Sequence, residues 1–426
     1  MTSGMLHGPA IKRSKMETVS FTHGGNVNPS NSNTSWPSDT SNSSVYSAEP
    51  GTSNSLHLSL PTSRRLKSFK YAMLISYCGD EFYGMQIQGD ISTVERSLLD
   101  AMVKTSLITD EDTKRPGNSF YFQRAARTDK GVSAVRQVCS MKLTIDQDTI
   151  PDIIKNLNAN LPRSVRVFGL QRVTKGFDSK RDCSGRTYSY TTPSYAFAKV
   201  TELANDEFRL NDGRLEEIND VLKLFCGTHN FFNFTSNRAH SDKSCFRYII
   251  EFKCDQPVIR EGIEFVTIYV KGQSFVLNQI RKMIGLTIAV VRGITDRSTI
   301  HLAWGDRRLD LPKAPGLGLL LENVHYDWYN SKFGKLHGDL EWRSADLDVD
   351  NFKKEHILQF IYESERRERP MLDWVGTLFL HHYEYREDSY VVPMLRTLVR
   401  RRLMRYGLKA RQIGELEEVI VIGKEI

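Results

Sequence analysis

Residues 124–145 read RAARTDKGVSAVRQVCSMKLTI, a charged loop followed by a stretch with strand character. From Gln137 to Ile145 apolar and polar residues alternate, which is typical of a strand with one buried face. The apolar set on that face consists of Cys139, Met141, Leu143 and Ile145. We therefore predict a half-buried strand directly after the loop.

Strand-like and helix-like segments alternate on both sides of this stretch. The predicted strands are Lys70–Tyr77, Val165–Val173, Arg186–Thr191, Cys245–Cys254 and Phe265–Lys271. Four helices are predicted. The first begins at a Ser92-x-x-Glu95 capping box, and the second spans Pro151–Asn158. The third contains Leu215, Ile218, Leu222 and Phe225 on one face, and the fourth spans Phe275–Val291. Several strand-to-strand connections are too short for a parallel crossover. The sequence therefore predicts an α+β fold, with helices packed on a largely antiparallel sheet.

Composition places the chain among soluble globular proteins of more than one domain. It has 426 residues, 40% of them hydrophobic and 26% charged, with a mean hydropathy of −0.41. The longest apolar run, Met283–Val291, is too short to cross a membrane, and the N-terminus lacks the apolar core of a secretory signal. Six scattered cysteines without a C-x-x-C pair predict free thiols and no zinc site. A formal charge of +7 permits a nucleic-acid partner without demonstrating one.

Two segments at the ends of the chain differ in composition from the rest. Residues 17–60 are more than half Ser, Thr, Asn and Gly, which predicts disorder. The basic stretch Ile11–Lys15 before them is either a solvated tail or a nuclear or mitochondrial targeting element. Near the other end, Met394–Arg411 contains seven cations and no acid. It is either a solvated helix face or an arm that binds RNA phosphates.

Three groups of residues carry the candidate chemistry, and each has two interpretations. Asp129, between Arg127 and Lys130, is either a turn residue or an ionised nucleophile or base. Arg281 falls within an apolar helical stripe and so needs a partner, either for packing alone or to orient a catalytic carboxylate such as Asp129. Tyr188 and Tyr190, with Arg186 beside them, are either core residues or a platform for a splayed nucleobase.

These segments resemble the TruA family of tRNA pseudouridine synthases, in particular its eukaryotic nuclear and mitochondrial branch. The resemblance runs from about residue 67 to 330, and more loosely to 375. The matching motifs, in family order, are YCGDEFYGMQ (77–86), RTDKGVSA (127–134), NANLP (158–162), RTYSY (186–190), GTHNF (227–231), FVLNQIRKMIG (275–285) and KAPGLGL (313–319).

The resemblance implies a role for each matching residue. Asp129 matches the catalytic aspartate, and Arg127 the arginine implicated in extruding the target base. Tyr188 matches the tyrosine that stacks on the uracil, and Arg281 the arginine that pairs with the aspartate. Asn278 stands where we expect a histidine, which puts any proton transfer at that position in doubt.

The resemblance, together with the composition of the two ends of the chain, predicts its organisation and partners. We expect a disordered tail over 1–66, two α+β halves over 67–200 and 201–330 with the active-site cleft between them, and a basic C-terminal extension over 331–426. The expected substrate is tRNA, with mRNA and small nuclear RNA as further candidates. We expect no cofactor, no metal, no membrane partner, a monomer, and a location in the nucleus, the mitochondrion or both. An inactive RNA-binding protein of the same fold is the alternative. A glycoside hydrolase, which would need a second facing acid, is disfavoured.

Overall fold

The computed structural model describes residues 67–383. The predicted tail over 1–66, the targeting stretch Ile11–Lys15 and the basic segment Met394–Arg411 lie outside the described residues. The proposed boundaries between the two halves and the extension stay predictions.

Ten strands form one sheet in the described part of the chain. They are β1 (Phe69–Tyr77), β2 (Gln123–Arg124), β3 (Ser133–Leu143), β4 (Val165–Arg172), β5 (Gly185–Pro193), β6 (Gly227–Asn230), β7 (Phe246–Cys254), β8 (Val258–Arg260), β9 (Ile263–Gly272) and β10 (Leu319–His325). Their order is β4-β1-β3-β10-β5-β9-β7-β6, with β2 paired to β3 and β8 paired to β9. All these pairings are antiparallel except that between β3 and β10.

The parallel contact between β3 and β10 is short and lies at the middle of the sheet. It consists of Leu320 opposite Ser133 and Leu321 opposite Ala134. Strands from the first part of the chain lie on one side of this seam, and strands from the second part lie on the other. Because β3 begins at the seam, the Asp129 loop that precedes it is located there as well.

Eleven α-helices accompany the sheet within residues 67–383. They are α1 (Val94–Lys104), α2 (Asp110–Lys114), α3 (Pro116–Ser119), α4 (Ile150–Asn160), α5 (Asp212–Lys223), α6 (Gln279–Val291), α7 (Ser298–Leu302), α8 (Asp327–His337), α9 (Asp346–Phe352), α10 (Gln359–Glu368) and α11 (Pro370–Val375). None of them is long and apolar enough to cross a membrane. The predicted α+β fold with a largely antiparallel sheet is confirmed.

The residues after α8 pack on the sheet face opposite Tyr188. Side chains alternate along β5, so Ser189 points away from Tyr188. The Ser189 hydroxyl donates to the Glu322 carboxylate at 2.6 Å, and that carboxylate also pairs with Lys353 at 2.7 Å. Farther along the same side, the ring of Trp342 packs so closely on Gly169 that a Cβ there would lie 2.6 Å from it.

Two local predictions were wrong at helix starts. Helix α1 is capped by Thr93, whose hydroxyl accepts the N–H of Arg96, whereas Glu95 pairs with Arg124 at 2.6 Å instead of completing a capping box with Ser92. Helix α6 begins at Gln279 instead of Phe275, because Asn278 adopts a left-handed φ of +65°. All six cysteines lie within the described residues and are unpaired, as predicted.

Candidate active site

Asp129 lies in a turn between β2 and β3. The N–H of Val132 donates to the Asp129 carbonyl oxygen at 3.1 Å, and Gly131 has a φ of +74°, a conformation that favours glycine. The turn is therefore formed by the backbone. Among the contacts of residues 67–383, the Asp129 side chain has no hydrogen bond, so the carboxylate is not engaged in holding the turn.

The segment between β1 and α1 supports the backbone of this loop. Gly84, with a φ of +100°, lies so close that a Cβ there would be 2.7 Å from the carbonyl oxygen of Thr128. A Cβ at Gly79 would be 2.5 Å from the carbonyl carbon of Val132. The N–H of Met85 donates to the Thr128 carbonyl oxygen at 3.2 Å. The two glycines of the YCGDEFYGMQ motif thus allow this segment to touch the loop that carries Asp129.

Burial and two cations act in opposite directions on Asp129. Burial raises the pKa of its carboxyl above the usual range, while Arg281 and Lys313 lower it, with burial as the larger effect. The cations adjacent to Asp129 in sequence are not the ones that counteract burial. Lys313 was missed as a site residue by sequence reasoning, although it is the first residue of the KAPGLGL motif.

Arg281 is half-buried at the start of α6, next to the loop. Its Nε donates to the carbonyl oxygen of Ala314 at 2.7 Å, and the N–H of Ala314 donates to the Arg281 carbonyl oxygen at 3.1 Å. A Cβ at Gly316 would lie 3.7 Å from the guanidinium carbon and 3.8 Å from the carbonyl oxygen of Lys130. Within the described residues no hydrogen bond or ion pair joins Arg281 to Asp129, so the pairing that the resemblance implies is not a direct contact in this structure.

Tyr188 lies in β5 on the same sheet face as Tyr190, as predicted. It is 8% exposed, and its ring meets that of Phe275 edge-to-face with centroids 5.3 Å apart. Burial raises the pKa of Tyr188 to about 12, and the Asp129 carboxylate contributes to that rise. The Tyr190 hydroxyl donates to the carbonyl oxygen of Pro315 at 2.9 Å. Tyr188 therefore lies close enough to Asp129 for the two groups to influence each other's charge. Tyr190 holds the backbone at Pro315, next to Ala314, which Arg281 contacts.

Arg186 joins the two sides of the site through backbone carbonyls. Its guanidinium donates to the carbonyl oxygens of Ala125 at 2.8 Å, Gln273 at 2.9 Å and Lys180 at 3.3 Å. This links the loop before Asp129 to the segment that leads into α6. Because these donors are engaged, Arg186 acts here as a positioning residue and not as part of a stacking platform.

The remaining sequence-predicted residues lie at the surface of the site. Arg127 is exposed, and among the described contacts its guanidinium has no hydrogen bond or ion pair. Asn278 is half-buried, and its side chain does not cap α6. Leu277 precedes α6 and is 56% exposed, so the apolar helical stripe that contains Arg281 does not extend back to it. The structure thus brings Asp129, Tyr188 and Arg281 together, with Arg127 at the outer side of the loop.

Among the described residues, Asp129 is the candidate reactive group of this site. Among residues 67–383, no group of three or more His, Cys, Asp or Glu residues is arranged to hold a metal ion. A half-buried carboxylate, held at a seam of the sheet beside cations and a buried tyrosine, can act as a nucleophile or as a base.

Comparisons with known proteins agree with one another. A family model described as tRNA pseudouridine synthase matches residues 221–327. The chain is 44% identical to the pseudouridylate synthase 1 homolog of Homo sapiens over 320 residues, covering 73% of each protein. It is 30% identical to the tRNA pseudouridine synthase 1 of Candida albicans, covering 78% of this chain and 69% of that protein. The protein of the same name from Yarrowia lipolytica is 31% identical, covering 70% of this chain and 71% of its own length.

Proposed function

The chain belongs to the tRNA pseudouridine synthase family, and we propose that Asp129 is the carboxylate with which it isomerises uridine to pseudouridine in tRNA. The enzyme is an isomerase. The observation that carries the assignment of Asp129 is the position of its unbonded carboxylate beside Arg281, Lys313 and Tyr188.

The chemistry requires one ionised carboxylate. The reaction breaks the bond between ribose C1′ and uracil N1 and forms a bond between C1′ and C5. C5 then loses its proton, and N1 carries one in the product. Asp129 can attack C1′ as a nucleophile or remove a proton from C2′ as a base, and both routes need the carboxylate form.

Arg281 and Lys313 favour the ionised carboxylate form of Asp129. Burial of Asp129 favours the neutral acid, and the two cations counteract it. Because no hydrogen bond or ion pair joins Arg281 to Asp129 among the described contacts, the carboxylate oxygens stay available to the ribose. Arg281 and Lys313 thus tune Asp129 without occupying it.

Tyr188 and Arg127 supply the contacts for a base that has left its stack. Extruding a base costs a few kcal/mol, which stacking on an aromatic ring offsets. The Tyr188 ring is held in place by Phe275, so little entropy is lost when it receives the uracil. Arg127, exposed on the same loop, is placed to contact the RNA strand from which the base is extruded.

We extend the proposal to the further substrates, the oligomeric state and the location of the protein. mRNA and small nuclear RNA are further candidate substrates, because the site recognises a uridine and its surroundings. A monomer is supported by the burial of one sheet face under the residues that follow α8. A nuclear or mitochondrial location, or both, rests on the basic stretch Ile11–Lys15. Mapping pseudouridine across nuclear, mitochondrial and total RNA, with and without this protein, tests substrates and location together.

The direct test compares purified wild-type protein with Asp129→Asn on tRNA. We expect pseudouridine formation by the wild-type protein and none by Asp129→Asn, with tRNA affinity within a few fold, because phosphate contacts dominate binding. Asp220→Asn, an exposed carboxylate on α5, is the matched control and should retain activity. Pseudouridine formation by Asp129→Asn would overturn the role of Asp129. An inactive wild-type protein that still binds tRNA would support the alternative of an inactive RNA-binding protein.

A further inference from the structure

Tyr121, just before β2, is an exposed aromatic residue in a strained backbone conformation. Its φ is +55° and its side chain is 57% exposed. Bulky L-residues rarely adopt positive φ, and such strain is concentrated at functional sites. The other aromatic residue at positive φ among those described is Trp342, whose ring packs closely on Gly169. Tyr121 gains no comparable burial in return for its strain.

The backbone on both sides of Tyr121 is fixed by two lysines. The N–H of Lys142 donates to the carbonyl oxygen of Phe120 at 2.7 Å. The Lys70 ammonium donates to the carbonyl oxygen of Tyr121, also at 2.7 Å. These bonds hold the strained turn in place, so that the ring is displayed at the surface.

Lys70 and Lys142 also form a like-charged pair. They are directly opposite each other in the register of β1 and β3, an arrangement that is destabilising for two cations. Their ammonium groups lie 6.0 and 5.9 Å from the centroid of the Tyr121 ring. Within residues 67–383 neither lysine forms an ion pair. Lys142 is exposed and Lys70 is 9% exposed, and the absence of an ion-paired carboxylate on either favours an anion from outside the chain.

Asp178 acts on Lys70 but forms no ion pair with it among the described residues. Its Oδ1 accepts the backbone N–H groups of Lys180 at 2.9 Å and Arg181 at 3.1 Å. Arg181 adds a further cation near Lys70. Burial lowers the pKa of Lys70 to about 8, Asp178 opposes this effect, and Arg181, the smallest of the three influences, lowers the pKa further.

A small cleft opens beside the ring. It has a volume of about 250 Å³, and its lining includes Tyr121, Lys142, the apolar side chain of Ile108 and the hydroxyl-bearing Ser119 and Thr144. One acid, Asp112, also lines it, and its Oδ2 accepts the N–H and hydroxyl of Thr109 at the start of α2. An aromatic ring, a cation and hydroxyl groups around one cleft correspond to the base, the phosphate and the ribose of a nucleotide.

We propose that Tyr121, Lys70 and Lys142 form a second RNA contact, in which an unpaired nucleotide of the substrate stacks on Tyr121 and places its phosphate between the lysines. The proposal rests on the proposed function, since the substrate RNA brings this nucleotide to the surface. Residues 123–126 connect Tyr121 to the Asp129 loop, and they lie alongside β3. β2 pairs with β3, the N–H of Ala125 donates to the Val138 carbonyl oxygen, and the N–H of Ala126 donates to the Gln137 side chain. From Ser133 to Lys142 the strand rises about 30 Å. Only an RNA that extends that far from the target uridine reaches both sites.

The first test is the affinity of Tyr121→Ala and Tyr121→Phe for full-length tRNA and for a short stem containing only the target uridine. We expect Tyr121→Ala to bind full-length tRNA about 5- to 150-fold more weakly, the range for loss of one stacked base. Tyr121→Phe should bind within about twofold of wild type, and the short stem should not distinguish the variants. Equal tRNA affinity of Tyr121→Ala and wild type, or equal losses in Tyr121→Ala and Tyr121→Phe, would overturn the proposal.

The second test separates the lysine contact from general charge. Lys142→Gln should reduce the slope of log affinity against log salt by about 0.7 to 0.9, whereas Lys142→Arg should keep it. Lys223→Gln, an exposed lysine on α5, is the matched control. If Lys142→Gln leaves the slope as unchanged as Lys223→Gln does, the two lysines do not hold a phosphate and the proposal fails.

The third test uses the strain itself. Asparagine tolerates positive φ better than tyrosine, so Tyr121→Asn should raise the melting temperature while weakening tRNA binding. A higher melting temperature with unchanged affinity would overturn the proposal. Pseudouridine formation by the wild-type protein is measured in parallel. Its absence would overturn the proposed function, while the binding data would still decide on the second contact.

Discussion

The Arg281 guanidinium lowers the pKa of the Asp129 carboxyl without a direct hydrogen bond among the described contacts, while its Nε donates to the carbonyl oxygen of Ala314 at 2.7 Å. This arrangement keeps a buried cation close to the reactive group without occupying an acceptor on it. A direct bidentate ion pair would stabilise the carboxylate more strongly, but it would also engage both oxygens that the reaction needs. The observed geometry therefore suits a carboxylate that has to react.

The first prediction concerns the pH dependence of the Arg281→Leu variant. Burial raises the pKa of Asp129, and Arg281 lowers it. Removing the cation therefore raises this pKa further, so the acid limb of the pH–rate profile moves to higher pH. Arg281→Lys keeps the charge and should shift the limb less. An unmoved acid limb in a folded Arg281→Leu protein would contradict the coupling of the two residues.

The second prediction concerns the Tyr188 ring. Among the described contacts its hydroxyl has no hydrogen-bond partner, and its pKa of about 12 keeps it neutral. Tyr188→Phe should therefore retain kcat/KM within a few fold. Tyr188→Ala should lose most activity and about 3 to 5 kcal/mol of unfolding free energy, because it removes the ring and leaves a cavity beside Phe275. Equal losses in both variants, measured by turnover and denaturant unfolding, would assign the role to the hydroxyl.

The third prediction concerns the support of the Asp129 loop. Gly84→Ala places a Cβ 2.7 Å from the Thr128 carbonyl oxygen and has to displace the loop. We expect at least a tenfold loss of kcat, because small displacements of a catalytic group are costly, with little change in tRNA affinity. Gly89→Ala is the matched control, since Gly89 also has a positive φ, of +52°, but its Cβ would have no atom within 4 Å. Similar kcat losses in the two variants would attribute the effect to backbone strain alone.

Local sequence patterns predicted several elements and the main site residues, but not every helix cap. The spacing in α5 was sufficient to predict that helix, because periodicity reflects which face is buried. The alternation in Gln137–Ile145 correctly predicted a strand, but the expectation of one buried face was wrong, since Gln137, Val138 and Ser140 are as fully buried as Cys139 and Met141. The motifs identified Asp129, Tyr188 and Arg281, and the structure brings these three together. The capping of α1 was not predictable, because Thr93 and Ser92 are equally good caps and tertiary contacts engage Glu95 elsewhere.

The contacts that tune the site depend on the tertiary fold. Lys313 lies far from Asp129 in sequence, and although it opens the KAPGLGL motif, the motif alone does not show that its ammonium acts on Asp129. The start of α6 depended on the left-handed Asn278, a conformation that asparagine adopts more readily than most residues but that spacing alone does not reveal. The sequence around Arg186 is typical of a strand with aromatic residues, and it does not indicate the contacts of the guanidinium. The fold shows that Arg186 donates to three carbonyl oxygens.

The last prediction concerns a buried carboxylate in α10 and the pH dependence of stability. Glu365 is 3% exposed, and burial raises its pKa to about 8, against the opposing effects of the Met371 N–H and of Arg369. A group whose pKa is raised on folding stabilises the folded state below its unfolded pKa of about 4.5, and loses that contribution as the pH rises through its folded value. Glu365 should therefore reduce the unfolding free energy progressively between about pH 5 and pH 8.

Glu365→Gln, which keeps the shape and cannot ionise, should remove this decline and be the more stable protein at pH 8.5. Glu363→Gln, a substitution elsewhere on the same helix, is the control. Denaturant unfolding from pH 5 to 9 measures the difference, and parallel curves for the wild type and Glu365→Gln would show that Glu365 does not titrate in this range.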